Sequence, residues 1–496
     1  MIALKHFVVL ALILCGRTLI AQNAYDNHWI FGHNPLVWGD SVTGGMLRFS
    51  QSPPLVLPVV KDLEIRETCI SMSNGKGDLI FYSNGCCLIN AKGDTLVNSD
   101  SLGRGIFLRD YCHYGMPFVQ GALALPHPDN EHLFYMLVLD FIGVSARNVY
   151  YNLVDMRLEG GLGRVIKKNQ VMMSDTFAKG TLQAIRHVNG KDWWVIVPKR
   201  TSNCYRMGLI TSQGILDTFL QCTGLPWSSA DAGGQAVFTP DGKKYIRYHG
   251  GNGLNIYDFD TGTGRLSNHK RIYIPYDTVG ANYNGVAVSP NSRYIYATAY
   301  RKIYQLDLHA SDIEGSRKLV AEWKHPDGLP YRSLFYQARL GPDGKIYIAG
   351  TNNSQHIHVV HHPNCPAEYC NFEPYAIALP AVSAFSMPNF PHFRIWSDTT
   401  TCSVSTPDPQ SDLCLSALYV SPNPARDYCT IQVPVCAEQD AFEYILSDLY
   451  GFPLSVVKGE HGRVLFELNA LPLGTYFIRA MYKGEWVKTL RLVVVR

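Results

Sequence analysis

A hairpin turn recurs along this chain at a nearly constant interval, and this period restricts the possible folds more than any other feature. In each instance an apolar strand runs into a turn built on Asn or Asp, and a second strand rich in Tyr or Ile leaves it. The turn residues follow one another at intervals of 50 to 60 positions and are Asn74, Asp129, Asn189, Asp241, Asn291 and Asp343. A period of about fifty residues is typical of one repeated supersecondary unit, such as a propeller blade of four strands.

Six units are visible, and a seventh can be built from the two ends of the repeated region. Residues Trp29 to Phe49 would supply strands from the N-terminal side, and Phe390 to Trp396 would supply a strand from the other side. Closing a ring in this way removes exposed strand edges, which otherwise invite aggregation. The sequence therefore predicts an all-β fold with a seven-bladed β-propeller over residues 22–396. Six or eight blades and a row of β-sandwiches are the alternatives.

The repeats also resemble a known class of propeller. Thr239–Ile246 and Gly341–Ile348 both contain Pro-Asp-Gly-Lys, followed after one residue by Tyr-Ile. These segments resemble the repeats of TolB-like and WD-repeat propellers of exported bacterial proteins. Together with the run Trp29–Gly32, they also resemble propellers that precede sorting or adhesive modules in gliding-motility-type surface proteins. The resemblance implies an architecture and not an activity.

The C-terminal part has the pattern of a separate, small β module. Between Tyr419 and Arg496, short β-branched or aromatic runs alternate with turn residues such as Pro, Gly and Asp. Strands at this spacing suggest a β-sandwich, which we predict over residues 417–496. The preceding residues 397–416 are rich in Thr, Ser and Pro and are predicted to form a linker.

Three motifs in this module carry a second resemblance. Pro-Asn-Pro-Ala begins at Pro422, Asp-x-x-Gly at Asp448, and Leu-Pro-x-Gly-x-Tyr at Leu471. In this order they resemble the type A C-terminal sorting domain of the type IX secretion system of Bacteroidetes. The resemblance implies recognition by an outer-membrane translocon, and then removal of the domain with attachment of the protein to the cell surface or its release. The residues that it assigns to the sorting signal are Pro422, Asn423, Pro424, Asp448, Gly451, Leu471, Pro472, Gly474 and Tyr476. An ordinary immunoglobulin-like or fibronectin-like module is the alternative.

The N-terminus carries the pattern of a secretory signal peptide. Lys5 and His6 precede an apolar run from Phe7 to Cys15, and small or polar residues follow as far as Ala21. The run is too short to span a bilayer, and no other stretch is predicted to cross a membrane. We predict a signal peptide over residues 1–21; a lipoprotein signal that uses Cys15 is the alternative.

The cysteines favour disulfides in an exported protein. Thirteen cysteines become twelve if Cys15 leaves with the signal peptide, and an even number suggests pairing. The pairs closest in sequence are Cys365 with Cys370, Cys402 with Cys414, and Cys429 with Cys436. The adjacent Cys86 and Cys87 are expected to have different partners, because a bond between neighbours is strained. The others could pair across blades and are Cys69, Cys112, Cys204 and Cys222. Zinc is disfavoured because no paired Cys-x-x-Cys motif occurs.

The sequence contains no motif of the common catalytic or cofactor sites. We find no Gly-x-Ser-x-Gly elbow, no Walker loop and no His-Glu-x-x-His. The group that most resembles a metal site is His356, His358, His361 and His362, in which the first two would share one face of a strand. No third ligand is placed beside them, so we predict neither a metal nor a cofactor.

The loops that lead into the innermost strands are the predicted binding site, because propeller ligands usually lie there. Their amides and aromatic rings suit hydrogen bonds to hydroxyls or backbone and stacking on a ring. Three glutamines each precede a turn residue by six positions, which places them in one register. The candidate ligand-binding residues are Gln183, Trp227, Asp231, Gln235, Tyr283, Tyr331, Arg332 and Gln337. The alternative is that the glutamines bridge neighbouring inner strands and satisfy backbone groups.

The sequence predicts a binding protein rather than an enzyme. It would cross the periplasm, be sorted by the type IX translocon, and act on the cell surface or as a secreted protein, with a protein or a glycan as ligand. The formal net charge of +3, with 17% charged residues, lacks the basic excess of nucleic-acid binders. The alternatives are a propeller hydrolase or lyase acting on polysaccharide or peptide, with acids such as Asp231 in the channel, and a structural part of a surface or motility assembly.

Overall fold

A computed structural model describes most of the chain as β-structure. The described residues are 24–32, 44–59, 63–103, 112, 115–140, 143, 145–228, 233–276, 280, 282–324, 333–351, 354–383, 385–394, 396, 402, 418–432, 442–448, 453–458, 463–482 and 485–495. Among them are three 3-10 turns, which span Glu159–Gly161, Gly250–Asn252 and Ala367–Tyr369. These residues contain no α-helix, and none of their helical turns is long and apolar enough to cross a membrane.

Seven antiparallel sheets follow one another in the described part between residues 28 and 383, and in each the strands pair in chain order. Sheet 1 contains β1 (His28–Phe31), β2 (Gly44–Arg48) and β3 (Leu55–Val59). Sheet 2 contains β4 (Ile70–Ser73), β5 (Leu79–Ser83) and β6 (Ile89–Asn90). Sheet 3 contains β7 (Ala122–His127), β8 (Asn130–Leu139), β9 (Ala146–Asp155) and β10 (Arg164–Phe177).

The other four sheets of this region have four strands each. Sheet 4 contains β11 (Gln183–Arg186), β12 (Trp193–Pro198), β13 (Cys204–Thr211) and β14 (Gly214–Cys222). Sheet 5 contains β15 (Gln235–Phe238), β16 (Lys244–His249), β17 (Gly253–Asp260) and β18 (Arg265–Ile272). Sheet 6 contains β19 (Asn284–Val288), β20 (Tyr294–Ala299), β21 (Lys302–Asp307) and β22 (Lys318–Glu322). Sheet 7 contains β23 (Phe335–Leu340), β24 (Ile346–Gly350), β25 (Ser354–Val360) and β26 (Phe372–Ser383).

The repeated turns join the first two strands of sheets 2 to 7, as the sequence predicted. In sheet 4, Asn189 Oδ1 accepts hydrogen bonds from Lys191 N and Asp192 N, both at 3.0 Å. In sheet 5, Thr239 Oγ1 accepts from Lys244 N at 3.0 Å. A short polar side chain can satisfy the backbone N–H groups that a tight turn leaves unpaired, which is why Asn, Asp, Ser and Thr recur there.

Neighbouring sheets pack through their first strands. Contacts join β1 to β4, β4 to β7, β11 to β15, β15 to β19, and β19 to β23. The last strand of sheet 7, β26, packs against β1, β2 and β3 of sheet 1, so the final sheet of the series lies against the first. We call the end at which β4, β7, β11, β15, β19 and β23 begin the upper end, and the end with the repeated turns the lower end.

Residues 385–394 lie between the first strands of the sheets, and we call them the central segment. The Asn389 side chain donates to Ala122 O at 2.9 Å and to Leu182 O at 3.0 Å. Its Oδ1 accepts from Arg339 Nη2 at 2.9 Å. One buried asparagine thus connects strands from three different sheets, so the middle of the molecule is occupied by its own chain.

The strand predicted over Phe390 to Trp396 is absent, because the described residues of that stretch have no regular structure. Pro388 and Pro391 have no backbone N–H group and therefore cannot donate to a strand ladder. The stretch nevertheless lies beside the N-terminal sheet, where the prediction placed it. The ring centroid of Phe390 is 6.4 Å from that of Trp29 in β1.

The disulfide pairing differs from the predicted one. Cys365 bonds to Cys402, while Cys370 keeps a free thiol. Cys370 follows the Ala367–Tyr369 turn, and its thiol donates to Ala367 O at 3.2 Å. Spacing along the sequence misled the prediction because residue 402 returns to the edge of sheet 7, where its Sγ lies 3.3 Å from Asn364 O.

Two other disulfides are present in the described residues, Cys86–Cys112 and Cys204–Cys222. The second joins the paired strands β13 and β14, so it lies within one sheet and not across two as predicted. Cys429 has a free thiol, which corrects its predicted pairing. The predicted partners Cys414 and Cys436 lie outside the described residues.

The C-terminal part forms two further antiparallel sheets. One contains β27 (Tyr419–Ser421), β28 (Tyr428–Gln432) and β31 (Arg463–Glu467). The other contains β29 (Phe442–Ser447), β30 (Pro453–Lys458), β32 (Gly474–Tyr482) and β33 (Glu485–Val494). The buried side chains of both sheets form a hydrophobic core that includes Ile431, Tyr444, Phe466, Ile478 and Leu492.

Candidate functional site

Two of the candidate glutamines make hydrogen bonds inside the protein. Gln235 is fully buried, and its Oε1 accepts from Val286 N at 3.1 Å and from Ala338 N at 3.0 Å. Its Nε2 donates to Ala338 O at 2.7 Å. Gln183 is also buried and donates to Asn389 Oδ1 at 2.6 Å. Both amides connect neighbouring parts of the interior, which is the alternative that the sequence left open, and this corrects the prediction that they face a ligand.

The third glutamine differs because only half of its amide has a recorded partner. Gln337 Nε2 donates to Phe385 O at 2.6 Å, but its buried Oε1 accepts no hydrogen bond from any residue that the structure describes. Two further buried side-chain atoms near the starts of first strands share this condition, Thr181 Oγ1 and Asn284 Nδ2. Buried polar atoms are nearly always hydrogen-bonded, so these three atoms are exceptions among the described residues.

Trp227 supports the structure of its loop. Its ring is buried, and the guanidinium carbon of Arg247 lies 3.5 Å from the ring centroid. Its backbone N–H donates to Ser202 O at 3.3 Å. The indole therefore packs inside the molecule. The three other candidates that the sequence predicted in these loops lie outside the described residues and are Asp231, Tyr331 and Arg332.

Tyr283 belongs to a cluster of four rings at the upper end, which we call the upper aromatic cluster. Its ring centroid lies 5.7 Å from Tyr300 and 5.8 Å from Phe385, with interplanar angles of 27° and 23°. Tyr336 meets it edge-on at 5.4 Å. Tyr336 is buried, whereas the other three rings are partly exposed. The cluster joins sheets 6 and 7 to the central segment and presents parts of three rings to solvent.

A carboxyl group lies beside this cluster. Burial raises the pKa of Glu67 to about 7, and the nearby charges of Arg66 and Lys179 act in the opposite direction. After burial, the Glu67 charge is the next cause of the raised pKa values of Tyr283 and Tyr336. Glu67 thus acts on both tyrosines and lies within their electrostatic surroundings.

Two cations act on this carboxyl group, and a third acts on one of them. Arg66 is its neighbour in sequence, and Lys179 comes from the loop that leads into sheet 4. Arg200, from another loop of sheet 4, is held near Lys179 because its backbone N–H donates to Thr176 O at 2.9 Å. Burial and the Arg200 charge lower the pKa of Lys179, and Glu67 opposes them. Within the described residues, Arg66 and Lys179 therefore act on the Glu67 carboxyl group, and Arg200 acts on Lys179.

Sequence reasoning found Tyr283 in this site but missed Glu67, Lys179, Tyr300 and Phe385. The same positional comparison could have included the residues that precede each first strand. Glu67 and Lys179 lie there, in the loops that lead directly into β4 and β11. No comparable signal marks Phe385, which reaches the site only because the central segment runs back between the sheets.

The histidine cluster has a structural role. His358 Nδ1 accepts from Tyr375 N at 3.0 Å, so Nε2 carries the proton and donates to Ser333 Oγ at 3.0 Å. Burial lowers the pKa of His358 to about 3. With both ring nitrogens engaged, it can serve neither as a metal ligand nor as a base for Ser333. His361 instead pairs with Glu373 at 2.8 Å, and the described residues contain no group of three possible metal ligands.

Two of the sorting motifs stabilise the C-terminal sheets. The Asn423 side chain exchanges two hydrogen bonds with the backbone of β33, at 2.7 and 2.9 Å. The hydroxyl group of Tyr476 donates to Pro472 O at 2.8 Å and closes its own turn. Gly451, in the remaining motif, lies outside the described residues.

Comparison with known proteins gives structural neighbours but no family. No family model and no curated protein matches the chain. A putative 6-phosphogluconolactonase from Bacteroides fragilis NCTC 9343 aligns with a TM-score of 0.43 and 13% identity, over 72% of this chain and 97% of that chain. The β-propeller domain of Cps50 (Swd1) from Myceliophteria thermophila aligns with a TM-score of 0.33 and 13% identity, over 63% and 88%.

A third neighbour is PorZ, a surface component of the type IX secretion system of Porphyromonas gingivalis. It aligns with a TM-score of 0.34 and 12% identity, over 91% of this chain and 68% of that chain. These neighbours include propeller proteins, in keeping with an all-β chain of many sheets. Similarity at this level carries no conclusion about activity, ligand or location.

Proposed function

We propose that this chain is an exported β-propeller protein that binds an extracellular protein or glycan at its upper end. In this proposal residues 1–21 form a signal peptide, residues 22–396 form a seven-bladed propeller, and residues 417–496 form a β-sandwich recognised by the type IX translocon. The mature protein acts at the outer-membrane cell surface or in the surrounding medium.

The packing of the sheets supports the propeller. Seven sheets follow in chain order, most neighbouring pairs touch through their first strands, and β26 of the last sheet packs on the first. In a propeller, sheets are arranged radially so that only short, protected edges remain. The central segment, which bonds to several first strands through Asn389, occupies the place of the propeller axis.

The upper aromatic cluster is the observation that carries the binding role. Three of its rings are partly exposed, and the Glu67 charge, on which Arg66 and Lys179 act in turn, acts on Tyr283. Aromatic surface with a few convergent polar and charged groups is the usual composition of a ligand site. The three disulfides support export, since such bonds persist in oxidising compartments.

Binding can be tested with the full mature chain and two matched variants. We expect the chain to bind at least one member of a panel of extracellular polysaccharides and surface proteins, measured by biolayer interferometry. Tyr283→Ala should weaken that binding roughly tenfold, because it removes the middle ring of the cluster. Tyr273→Ala, at an exposed tyrosine that follows β18 and lies outside the cluster, should leave it unchanged. Binding that is indifferent to Tyr283 would remove the upper end as the site.

Sorting is tested separately in the native host. The mass and location of the native protein are compared with those of a version that stops at Ser416. We expect the native protein outside the cell, without residues 1–21 and without its C-terminal module, and the shortened version in the periplasm. If removal of the module leaves the location unchanged, the module is an accessory domain and the proposed route is wrong.

Glu67 favours a second candidate function, in which the protein is a hydrolase or lyase that cleaves a polysaccharide or peptide. A pKa of about 7 suits a general acid at neutral pH. Under this alternative the purified chain turns over one of the polymers that it binds, and Glu67→Gln abolishes turnover while binding persists. Binding without turnover in the unaltered protein excludes it for that polymer.

A further inference from the structure

The last strand of sheet 4 lacks the residues that usually protect the edge of a sheet. An exposed edge strand can pair with another chain, and proteins usually prevent this with Lys or other charges, with Pro, or with a very short strand. The last strands of the other six sheets have such protection: β6 has only two residues, and the others contain Pro58 (β3), Lys167 and Lys168 (β10), Lys270 and Arg271 (β18), Lys318 and Glu322 (β22), and Pro374 and Pro380 (β26). β14 contains no Lys, Arg or Pro.

The backbone of β14 has hydrogen-bonding groups that point away from its own sheet. At the end of the β13–β14 ladder, Thr223 N donates to Asn203 O at 2.9 Å, so these two residues form a hydrogen-bonded pair. Hydrogen-bonded and non-hydrogen-bonded pairs alternate along an antiparallel ladder. The N–H and C=O groups of Thr218, Leu220 and Cys222 therefore point away from β13. Among the described strands, β13 is the only one that pairs with β14.

The side chains along this edge are uncharged and accessible. Leu220 is 40% exposed, and Thr218 and Cys222 are exposed on either side of it. The register of the ladder shifts only at its other end, between Leu209 and Ile210 of β13. The edge is thus regular from residue 217 to residue 222, which is long enough to accept another strand.

This regular edge is complementary to itself. If a second copy is placed antiparallel to it, with a two-fold axis at Leu220, then Leu220 lies opposite Leu220 of the second copy, and Thr218 lies opposite Cys222. Each of these positions has outward-pointing backbone groups, so the pairing forms about six hydrogen bonds between the copies. A two-fold axis of this kind produces a closed dimer and not a filament.

The charges at the two ends of the edge are also complementary. Asp217 is the only charged residue of β14. The antiparallel register places it opposite Thr223 of the second copy, two residues before Leu225. The carbonyl oxygen of Leu225 accepts a hydrogen bond from Arg271 Nη2 at 3.1 Å. The acidic end of one edge therefore meets the basic end of the other.

We propose that β14 is a homodimer interface, at which two copies of this chain pair antiparallel about Leu220 and join their two copies of sheet 4 into one continuous sheet. A single pair of strands buries less surface than a standard protein interface. We therefore expect a dissociation constant of roughly 1–100 µM. This inference goes beyond the proposed function and does not depend on the ligand.

Sedimentation of the full mature chain over a concentration range around the expected dissociation constant measures the dimer. Leu220→Lys places two like charges together at the axis and should weaken the dimer at least roughly tenfold. Thr218→Pro removes an outward-pointing N–H and should have the same effect, since Pro is tolerated where the N–H faces solvent. Leu319→Lys is the control, because Leu319 is 51% exposed on β22 and lies in a different sheet.

A crosslinking experiment tests the register. Opposite residues of a hydrogen-bonded pair have Cα atoms about 5.5 Å apart, which a disulfide can bridge. Leu220→Cys should therefore form a covalent dimer under mild oxidation. Leu216→Cys is the matched control: Leu216 is 60% exposed, but the two copies of this residue lie on opposite sides of the axis.

Each outcome supports or overturns the proposal. A chain that remains monomeric throughout the concentration range overturns it, including the case in which β14 accepts a strand of a different protein. A dimer that persists in both Leu220→Lys and Thr218→Pro overturns β14 as the interface. A covalent dimer of Leu216→Cys without one of Leu220→Cys overturns the axis at Leu220. Thermal melting shows which variants are folded, and the two positions keep the test valid if one variant is not.

Discussion

The centre of the molecule and its upper end are built from similar side chains and use them in opposite ways. In the centre, the amides of Gln235 and Asn389 are saturated by backbone and side-chain partners. In β23, Gln337 keeps an Oε1 without a partner among the described residues, and at the upper end Tyr283 is partly exposed. Gln235 and Gln337 hold the same position relative to their turns, so sequence register does not separate the two situations.

The difference follows from how the strands converge. First strands from several sheets meet around the central segment, so a side chain there finds donors and acceptors on every side. At the upper end, Tyr283 and Phe385 lie in connections between strands and are partly exposed. Whether an amide is saturated therefore depends on which neighbouring strands meet it, and register along its own strand does not reveal this.

Substitution of Asn389 by alanine should have the largest effect on stability. It removes one of the two acceptors of the buried Arg339, which keeps only Phe390 O among those recorded, and it removes donors to Ala122 O and Leu182 O. We expect a loss of roughly 3–5 kcal/mol, the range for breaking a buried, charge-containing network. Urea unfolding of the full chain, followed by tryptophan fluorescence, measures it. Ligand binding should persist in the fraction that remains folded.

The matched control for this experiment is Asn189→Ala. Asn189 bonds backbone N–H groups in an exposed turn, so we expect a loss of at most about 1 kcal/mol. Equal losses for Asn189 and Asn389 would contradict the structural role of the centre. They would mean that the central segment separates from the strands at little cost.

Removal of the Cys365–Cys402 disulfide should have the next largest effect. The bond closes a loop with a sequence separation of 37, for which the chain-entropy account gives about 3–4 kcal/mol. It also fixes the chain that follows the central segment, so Cys365→Ser with Cys402→Ser should raise hydrogen exchange in residues 385–394. The comparison is the pair Cys204→Ser and Cys222→Ser, whose bond lies within sheet 4 and should not affect that exchange.

The repeated turns allowed much of the fold to be predicted, because their chemistry is local. Asn or Asp at the turn satisfies backbone groups within four residues. The residue that marks the turn in the sequence is therefore the residue that stabilises it. This fixed the first hairpin of six sheets. Sheet 1 also contains strands within the predicted span from Trp29 to Phe49.

The features that could not be predicted all depend on contacts between distant residues. The central segment forms no strand because Pro388 and Pro391 remove donors and because its partners are side chains from several sheets. Cys402 reaches Cys365 only through the return of the chain after sheet 7. Glu67 gains its role from Lys179, more than one hundred residues away, and no motif links them.

Glu67 gives the upper end a dependence on pH that the centre lacks. Its pKa is raised from 4.5 to about 7, so the folded state holds a proton that the unfolded state has lost in this window, and stability falls as pH rises through it. Glutamine has no such proton. We therefore expect Glu67→Gln to match the parent below about pH 4.5 and to exceed it by about 2 kcal/mol above pH 7, reduced for partial exposure.

Thermal melting of parent and variant at closely spaced pH values measures this effect. The groups that face Glu67 stay unchanged in both proteins and are Arg66, Lys179, Tyr283 and Tyr336. A variant that is less stable than the parent at pH 8 would show that attraction to the cations outweighs burial.

Tyr300→Ala should have the smallest effect on stability and a clear effect on binding. The ring is partly exposed and stacks on Tyr283 at 5.7 Å, so its loss should lower stability by about 1 kcal/mol or less. If a ligand rests on the upper aromatic cluster, the same change should weaken binding roughly tenfold. This is the reverse of Asn389→Ala, which should unfold the protein without changing the affinity of what remains folded. If Tyr300→Ala lowers stability as strongly as Asn389→Ala, the cluster belongs to the core, and the distinction between the two regions is wrong.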